Sequence, residues 1–206
     1  MKLIKIKNLK LEGVKVFIFE RFTDHRGYFT ETYRKSDIEK ELNLKIVQIN
    51  ESFSKEKVLR GLHFQWNPYM GKLVRTIQGH MIDLILDIRK GSPTFGKAIA
   101  YDMPVKSEDK LNEWIWIPPG FAHGNIFLRE TIIEYLCNGE YSQGFEAGIS
   151  PLAPDIDWSL CKEESAFDLA KTIVDPIISE KDKAGLTLTE WAKKEESNNF
   201  IYNELV

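Results

Sequence analysis

The chain has 206 residues, 43% of them hydrophobic and 29% charged, a balance that suits a folded globular protein and is too apolar for intrinsic disorder. Twenty-eight basic against 31 acidic side chains leave a formal charge of −3, which argues against nucleic-acid binding through a basic face. No apolar run approaches the about 20 residues needed to cross a bilayer, and Lys2, Lys5, Lys7 and Lys10 interrupt every N-terminal apolar stretch; with no export signal the cytoplasm is the expected location. Along the chain, Ile4, Ile6, Leu9 and Leu11 alternate with lysines and Asn8, and Val14, Val16 and Ile18 continue the period of two. A short helical pattern follows over residues 36–42. Residues 45–50, 72–78, 81–88, 97–103, 113–117 and 131–136 then read as strands rich in β-branched or aromatic side chains. Turn signals separate them at His25-Arg26-Gly27, Gln78-Gly79, Lys90-Gly91-Ser92-Pro93, Pro118-Pro119-Gly120 and Cys137-Asn138-Gly139. A second helical pattern covers residues 188–195. Short strands at such spacing predict an all-β antiparallel sandwich or barrel, without βαβ units. No repeat or linker divides it, so a single domain over 1–206 is expected.

Four histidines, His25, His63, His80 and His123, are candidate bases. None stands in a His-x-His or His-Glu-x-x-His pattern, and Cys137 and Cys161 lack ligand spacing, so nothing points to a metal site. In the segment Arg60-Gly61-Leu62-His63-Phe64-Gln65, extended geometry puts Arg60, Leu62 and Phe64 on one face and Gly61, His63 and Gln65 on the other. Gly61 leaves room for a close-approaching ligand or a bulge, and Arg60 has the fork that suits phosphate, although a surface ion pair is the plainer reading. Lys72 lies in an otherwise apolar strand; pointed inward it stabilises an oxyanion, and pointed outward it does nothing. Tyr135 reads by itself as a core tyrosine, and Asp182, three residues after Ser179, as part of a helix cap.

In order, however, Asp24-His25-Arg26-Gly27-Tyr28-Phe29-Thr30-Glu31, Gln48-Ile49-Asn50-Glu51-Ser52, Arg60-Gly61-Leu62-His63-Phe64-Gln65 and Lys72-Leu73-Val74-Arg75 closely resemble the dTDP-4-dehydrorhamnose 3,5-epimerase family. The resemblance continues through residues 87–96, Ile117-Pro118-Pro119-Gly120-Phe121-Ala122-His123-Gly124, Asp155-Ile156-Asp157-Trp158 and Ser179-Glu180-Lys181-Asp182. It covers a core of about residues 14–186 and leaves 187–206 as a charged helical extension. It implies a cupin-type jelly roll, a homodimer, no metal and no cofactor. It implies a nucleotide-linked 4-keto-6-deoxy sugar as substrate, with His63 as the base, Asp182 as its orienting carboxylate, Tyr135 as the acid on the opposite sugar face and Lys72 as the stabiliser of the enolate oxygen. Arg26, Glu31, Gln48, Asn50 and Arg60 match positions that hold the nucleotide and diphosphate. His123 matches a pocket histidine, Lys181 and Glu146 fall near further binding positions, and Phe29 and Tyr141 are candidate aromatic walls. The chain departs from the pattern at Asn125, where an aromatic is usual, and in the segment before Asp157-Trp158. Three alternatives stay open: a C3-only or C5-only epimerase or 3,4-ketoisomerase acting on a CDP- or GDP-sugar, a non-catalytic sugar-nucleotide-binding cupin, and a metal-dependent cupin oxygenase.

Overall fold

The computed structural model of the chain describes residues 3–105, 108–161 and 165–205; Lys2, at the start of the alternating pattern, and Val206, at the end of the expected domain, lie outside them. The early alternating pattern forms two antiparallel strands, β1 (Leu3–Asn8) and β2 (Lys15–Glu20), paired from Leu3↔Phe19 to Asn8↔Lys15. An exposed hairpin of β3 (Phe22–Asp24) and β4 (Gly27–Phe29) follows as a sheet of its own, and then helix α1 (Lys35–Leu42). Strands β5 (Gln48–Ser54), β6 (Leu59–Gln65), β7 (Lys72–Asp87), β8 (Ala98–Val105), β9 (Leu111–Ile117), β10 (Phe121–Phe127), β11 (Thr131–Cys137) and β12 (Glu146–Gly148) complete the β structure. They build a sandwich. One layer runs β1-β2-β9-β7-β11-β5 and the other β8-β7-β10-β6-β12.

Strand β7 belongs to both layers. The two strands expected over 72–78 and 81–88 are one strand of 16 residues, and the Gln78-Gly79 turn signal is a bend inside it. Gly79 adopts φ +99°, and a Cβ there would lie 2.4 Å from the Glu130 carbonyl oxygen, so only glycine lets the strand turn against its neighbour. Before the bend β7 pairs with β9 and β11; after it, with β8 and β10. Strand β10 shows no alternation because every residue in it is buried, which erases a period of two.

Val16, Val74 and Ile115 from one layer meet Leu62, Phe64, Ile82 and Ile126 from the other in a continuous core. The Asp87 to Gly96 motif is structural here. The buried Asp87 carboxylate accepts hydrogen bonds from Arg89, Ser92 and Thr94 and fixes the loop after β7, and those bonds hold its carboxyl below the ordinary carboxylate value despite burial.

Three short helices follow the strands: α2 (Ser165–Lys171), α3 (Glu180–Lys183) and α4 (Leu188–Lys193). Thr187 and Glu190 cap α4 reciprocally. The segment read as a charged extension carries two core residues. Trp191 (1% exposed) and Phe200 (0%) set their rings edge-on to Phe64 of β6, with centroids 4.6 and 5.7 Å away. Its lysines and glutamates face solvent, which is why composition alone made it look peripheral.

Candidate active site

The bend in β7 and the pairing of β6 with β10 set polar side chains between the two layers. On the inner face of the first layer, register aligns Lys72 with Cys137, Val74 with Tyr135, and Tyr135 with Asn50. On the second layer His63 lies directly opposite His123. One residue beyond strict register is accommodated on β6 between His63 and Arg60, opposite the step from His123 to Asn125. Gly61, at φ +112°, forms this bulge, and a Cβ on it would sit 2.5 Å from the Cα of Gly124. The bulge corrects the strict alternation expected of β6: Arg60 and His63 line the same cavity, while Leu62 and Phe64 turn into the core.

That cavity has a volume of about 160 Å3. Ser52, Arg60, Gly61, His63, Lys72, His123, Gly124, Asn125, Ile133, Tyr135 and Asp182 line it. A larger cleft of about 930 Å3 opens between β1, β8 and β9, bordering stretches outside the described residues, and it gathers none of this set.

Helix α3 delivers the carboxylate. Ser179 accepts a hydrogen bond from the Asp182 backbone N–H, so the cap read from sequence is present, but the Asp182 side chain is used elsewhere. Its Oδ1 lies 2.7 Å from His63 Nε2, and its Oδ2 accepts from the Gly61 N–H at 3.4 Å. This leaves His63 Nδ1 without a hydrogen-bond partner among the described residues, on a ring that lines the cavity. Burial lowers the His63 pKa from its ordinary value against the pull of Asp182, and the charges of Lys72 and Lys181 lower it further, so the imidazole is held neutral and able to accept a proton. Burial also depresses Lys72, partly offset by Cys137, Asp83 and Glu146. Tyr135 is pushed up by burial, which keeps its hydroxyl protonated as a donor.

The binding residues expected from sequence divide into three groups. Arg60 and His123 stand in the cavity wall, and Arg60 is braced by Ser54 Oγ at 2.9 Å and the Phe53 carbonyl at 3.2 Å. Gln48, Asn50, Tyr141, Glu146 and Lys181 form a connected rim: Gln48 donates to Asn50 and accepts from the Tyr141 N–H, while Tyr141 and Lys181 both donate to Glu146. Arg26, Phe29 and Glu31 are not brought to the cavity. Arg26 and Phe29 border a separate open cleft beside the hairpin, Arg26 paired with Asp24, and Glu31 accepts from Arg34.

Sequence reasoning missed Asp83, wholly buried behind this wall with Oδ1 2.7 Å from His123 Nε2. That contact is out of hydrogen-bond alignment, and neither carboxylate oxygen has a hydrogen-bond partner among the described residues. The signal was an acid inside the apolar run Met81-Ile82-Asp83-Leu84-Ile85-Leu86. Cys137 was also missed; it accepts weakly from Asn50 Nδ2 at 3.8 Å, and burial pushes its thiol up. No group of three or more His, Cys, Asp or Glu side chains among the described residues could hold a metal ion. No helix among them is long and apolar enough to cross a membrane.

The arrangement can remove a proton from carbon and stabilise the charge that results. Comparison with known proteins agrees with that chemistry. The sequence model of the dTDP-4-dehydrorhamnose 3,5-epimerase family matches residues 8–190. The dTDP-4-dehydrorhamnose 3,5-epimerase of Methanothermobacter thermautotrophicus is 39% identical, with 87% of this chain and 92% of that protein covered. The Shigella flexneri enzyme of the same name is 38% identical over 86% of this chain and 93% of its own length. Among solved structures, dTDP-6-deoxy-D-glucose-3,5-epimerase from Legionella pneumophila, crystallised with dTDP-4-keto-L-rhamnose, superposes with a TM-score of 0.77 at 31% identity, covering 90% of this chain and 93% of that one. The match runs through both layers of the sandwich and every wall of the cavity, and the chain belongs to the dTDP-4-dehydrorhamnose 3,5-epimerase family.

Proposed function

We propose that the chain inverts C3 and C5 of a dTDP-linked 4-keto-6-deoxy sugar without a cofactor. The observation that carries this reading is the meeting of His63, backed by Asp182 at 2.7 Å, with Lys72 and Tyr135 around one cavity. The ketone at C4 acidifies the hydrogens on C3 and C5. His63 takes one through Nδ1, and the electron pair moves through the new C=C bond to leave an enolate at O4. Lys72, in the cavity wall, supplies positive charge to that oxygen. Asp182 fixes the imidazole tautomer and favours its cation once formed. His63 comes from the second layer and Tyr135 from the first, so a sugar between the layers has its proton taken on one face and returned on the other. Return to the opposite face inverts the carbon. Arg60 and the rim from Gln48 to Lys181 hold the diphosphate and nucleotide. Because nucleotide-activated sugars are made where nucleoside triphosphates are, we place the reaction in the cytoplasm.

The working unit is a homodimer. Among the described residues β1 and β5 end the first layer with unpaired edges, and Ile49 and Phe53 of β5, with Phe22, Tyr28 and Phe29 of the hairpin, are exposed apolar side chains. Pairing two copies covers these surfaces and carries Arg26, Phe29 and Glu31 to the rim of a second copy's cavity, which reconciles their motif with their distance from His63.

Incubation with dTDP-4-keto-6-deoxyglucose in D2O tests the reaction. Deuterium at C3 and C5 with inverted product is expected. Exchange at C3 alone indicates a monoepimerase or ketoisomerase, and no exchange with any nucleotide partner indicates a binding protein.

A further inference from the structure

Two buried polar side chains of the cavity wall, His123 and Asn125, have no part in the proton transfers above, and His123 already faces the Asp83 carboxylate at 2.7 Å. Asn125 is 5% exposed and lines the cavity from the middle of β10. Its amide nitrogen donates to the Met81 thioether at 3.0 Å and stands 3.5 Å from His123 Nε2. Its amide oxygen accepts from none of the described residues, yet it is not among the sealed polar atoms of the interior, so the space it faces is the cavity. An amide oxygen that faces the cavity and is used by none of the described residues is available to a donor that enters there.

The epimerase reading, on which this inference rests, restricts what that donor can be. In a 4-keto-6-deoxyhexose joined through C1 to a diphosphate, the glycosidic, ring and ketone oxygens only accept, and C6 is a methyl group. Only the hydroxyls on C2 and C3 donate. The C3 hydroxyl changes orientation when C3 inverts, and an amide held within β10 opposite Asp83 and Arg60 cannot follow it. The C2 hydroxyl keeps its configuration throughout. A hydroxyl also satisfies the reversed amide, because it both donates and accepts. We infer that Asn125 is a specificity-determining residue that reads the C2 hydroxyl of the sugar through its amide.

The test pairs a substrate change with a side-chain change. dTDP-4-keto-6-deoxyglucose and its 2,6-dideoxy counterpart are each given to the unaltered enzyme and to Asn125→Leu, and kcat/KM is measured. The unaltered enzyme is expected to prefer the 2-hydroxy sugar by about 10- to 100-fold. Asn125→Leu should lose that preference, falling on the 2-hydroxy sugar and holding its rate on the dideoxy sugar. Equal use of both sugars by the unaltered enzyme overturns the inference, as does an equal loss on both in the variant. If the leucine side chain prevents folding, Asn125→Ala, which only removes atoms, takes its place. Failure of the unaltered protein to exchange deuterium into either sugar removes the epimerase reading and this inference together; an active enzyme indifferent to the C2 hydroxyl removes this inference alone.

Discussion

The cavity wall and the β3–β4 hairpin carry similar side chains, charged and aromatic residues in extended motifs, and the fold treats them in opposite ways. In the wall, His63, Lys72, Tyr135 and Asp182 come from β6, β7, β11 and α3 and converge on about 160 Å3. On the hairpin, the Arg26 side chain is 80% exposed and paired with its neighbour Asp24, and Phe29 is 66% exposed. On the proposed reading, a single chain brings the proton-transfer groups together but holds Arg26 and Phe29, proposed to help bind the substrate, away from them. The two functions are separable, and variants in the two regions should fail differently.

His63→Ala should give the largest effect. With no substitute base, exchange at both carbons should fall about a thousandfold or more while nucleotide binding persists; rapid exchange in this variant would remove His63 as the base. Lys72→Gln should follow, with kcat lower by about a hundredfold or more from loss of charge at the enolate oxygen, and a variant that lost only substrate affinity would show Lys72 to be a binding group. Tyr135→Phe should separate proton removal from proton return, which share one intermediate: deuterium still washes in through His63 with configuration retained, while inverted product falls steeply. Inverted product at the unaltered rate would show Tyr135 to be a packed ring and nothing more.

The pH profile sharpens the same contrast. With His63 as the proposed neutral base and its pKa below the ordinary 6.5, activity should persist below pH 6.5 and fail only as pH drops through the lowered value. The same shift makes the fold lose stability as pH falls below 6.5, because the unfolded chain then takes up the proton more readily. With Lys72 as the proposed cation and its pKa depressed by burial, the alkaline limb should begin below the ordinary lysine range. Limbs at the unperturbed values would mean that the cavity does not desolvate these groups. Hairpin variants should give the smallest change: Arg26→Ala and Phe29→Ala are expected to raise KM about tenfold with kcat nearly intact, and Phe29→Arg to weaken self-association in sedimentation. A loss of kcat in Arg26→Ala approaching that of His63→Ala would collapse the distinction between the two regions.

Most of the strands were legible as short runs of β-branched and aromatic side chains between turn signals, although the period of two expected over β2 breaks where Val16 and Phe17 are both buried. β10 was not, since burial on both faces leaves no period, and β7 was split because Gly79 is the same residue in a turn and in a bend. His63, Lys72, Tyr135 and Asp182 were weak signals singly; the resemblance to a known family grouped them, and the fold brings all four to one cavity. Arg60 joined them against the expected alternation because the bulge at Gly61 depends on how closely β6 approaches Gly124, which is a property of two strands and is not written in one. The resemblance also named Arg26, Phe29 and Glu31 as binding residues, and the fold places them away from this chain's own cavity.

The aromatic seal beneath β6 has a consequence for the order of events during synthesis. Phe64 and His63 leave the ribosome together, whereas Trp191 and Phe200, which cover the Phe64 ring, emerge long afterwards. Until then Phe64 has the sandwich core on one side but not its later aromatic partners, and a nascent chain must keep Phe64 and Trp66 from other contacts while it waits. Protease sensitivity of stalled nascent chains should therefore persist through residue 190 and disappear only after Phe200 has emerged, so that this enzyme acquires its base early and its protection late.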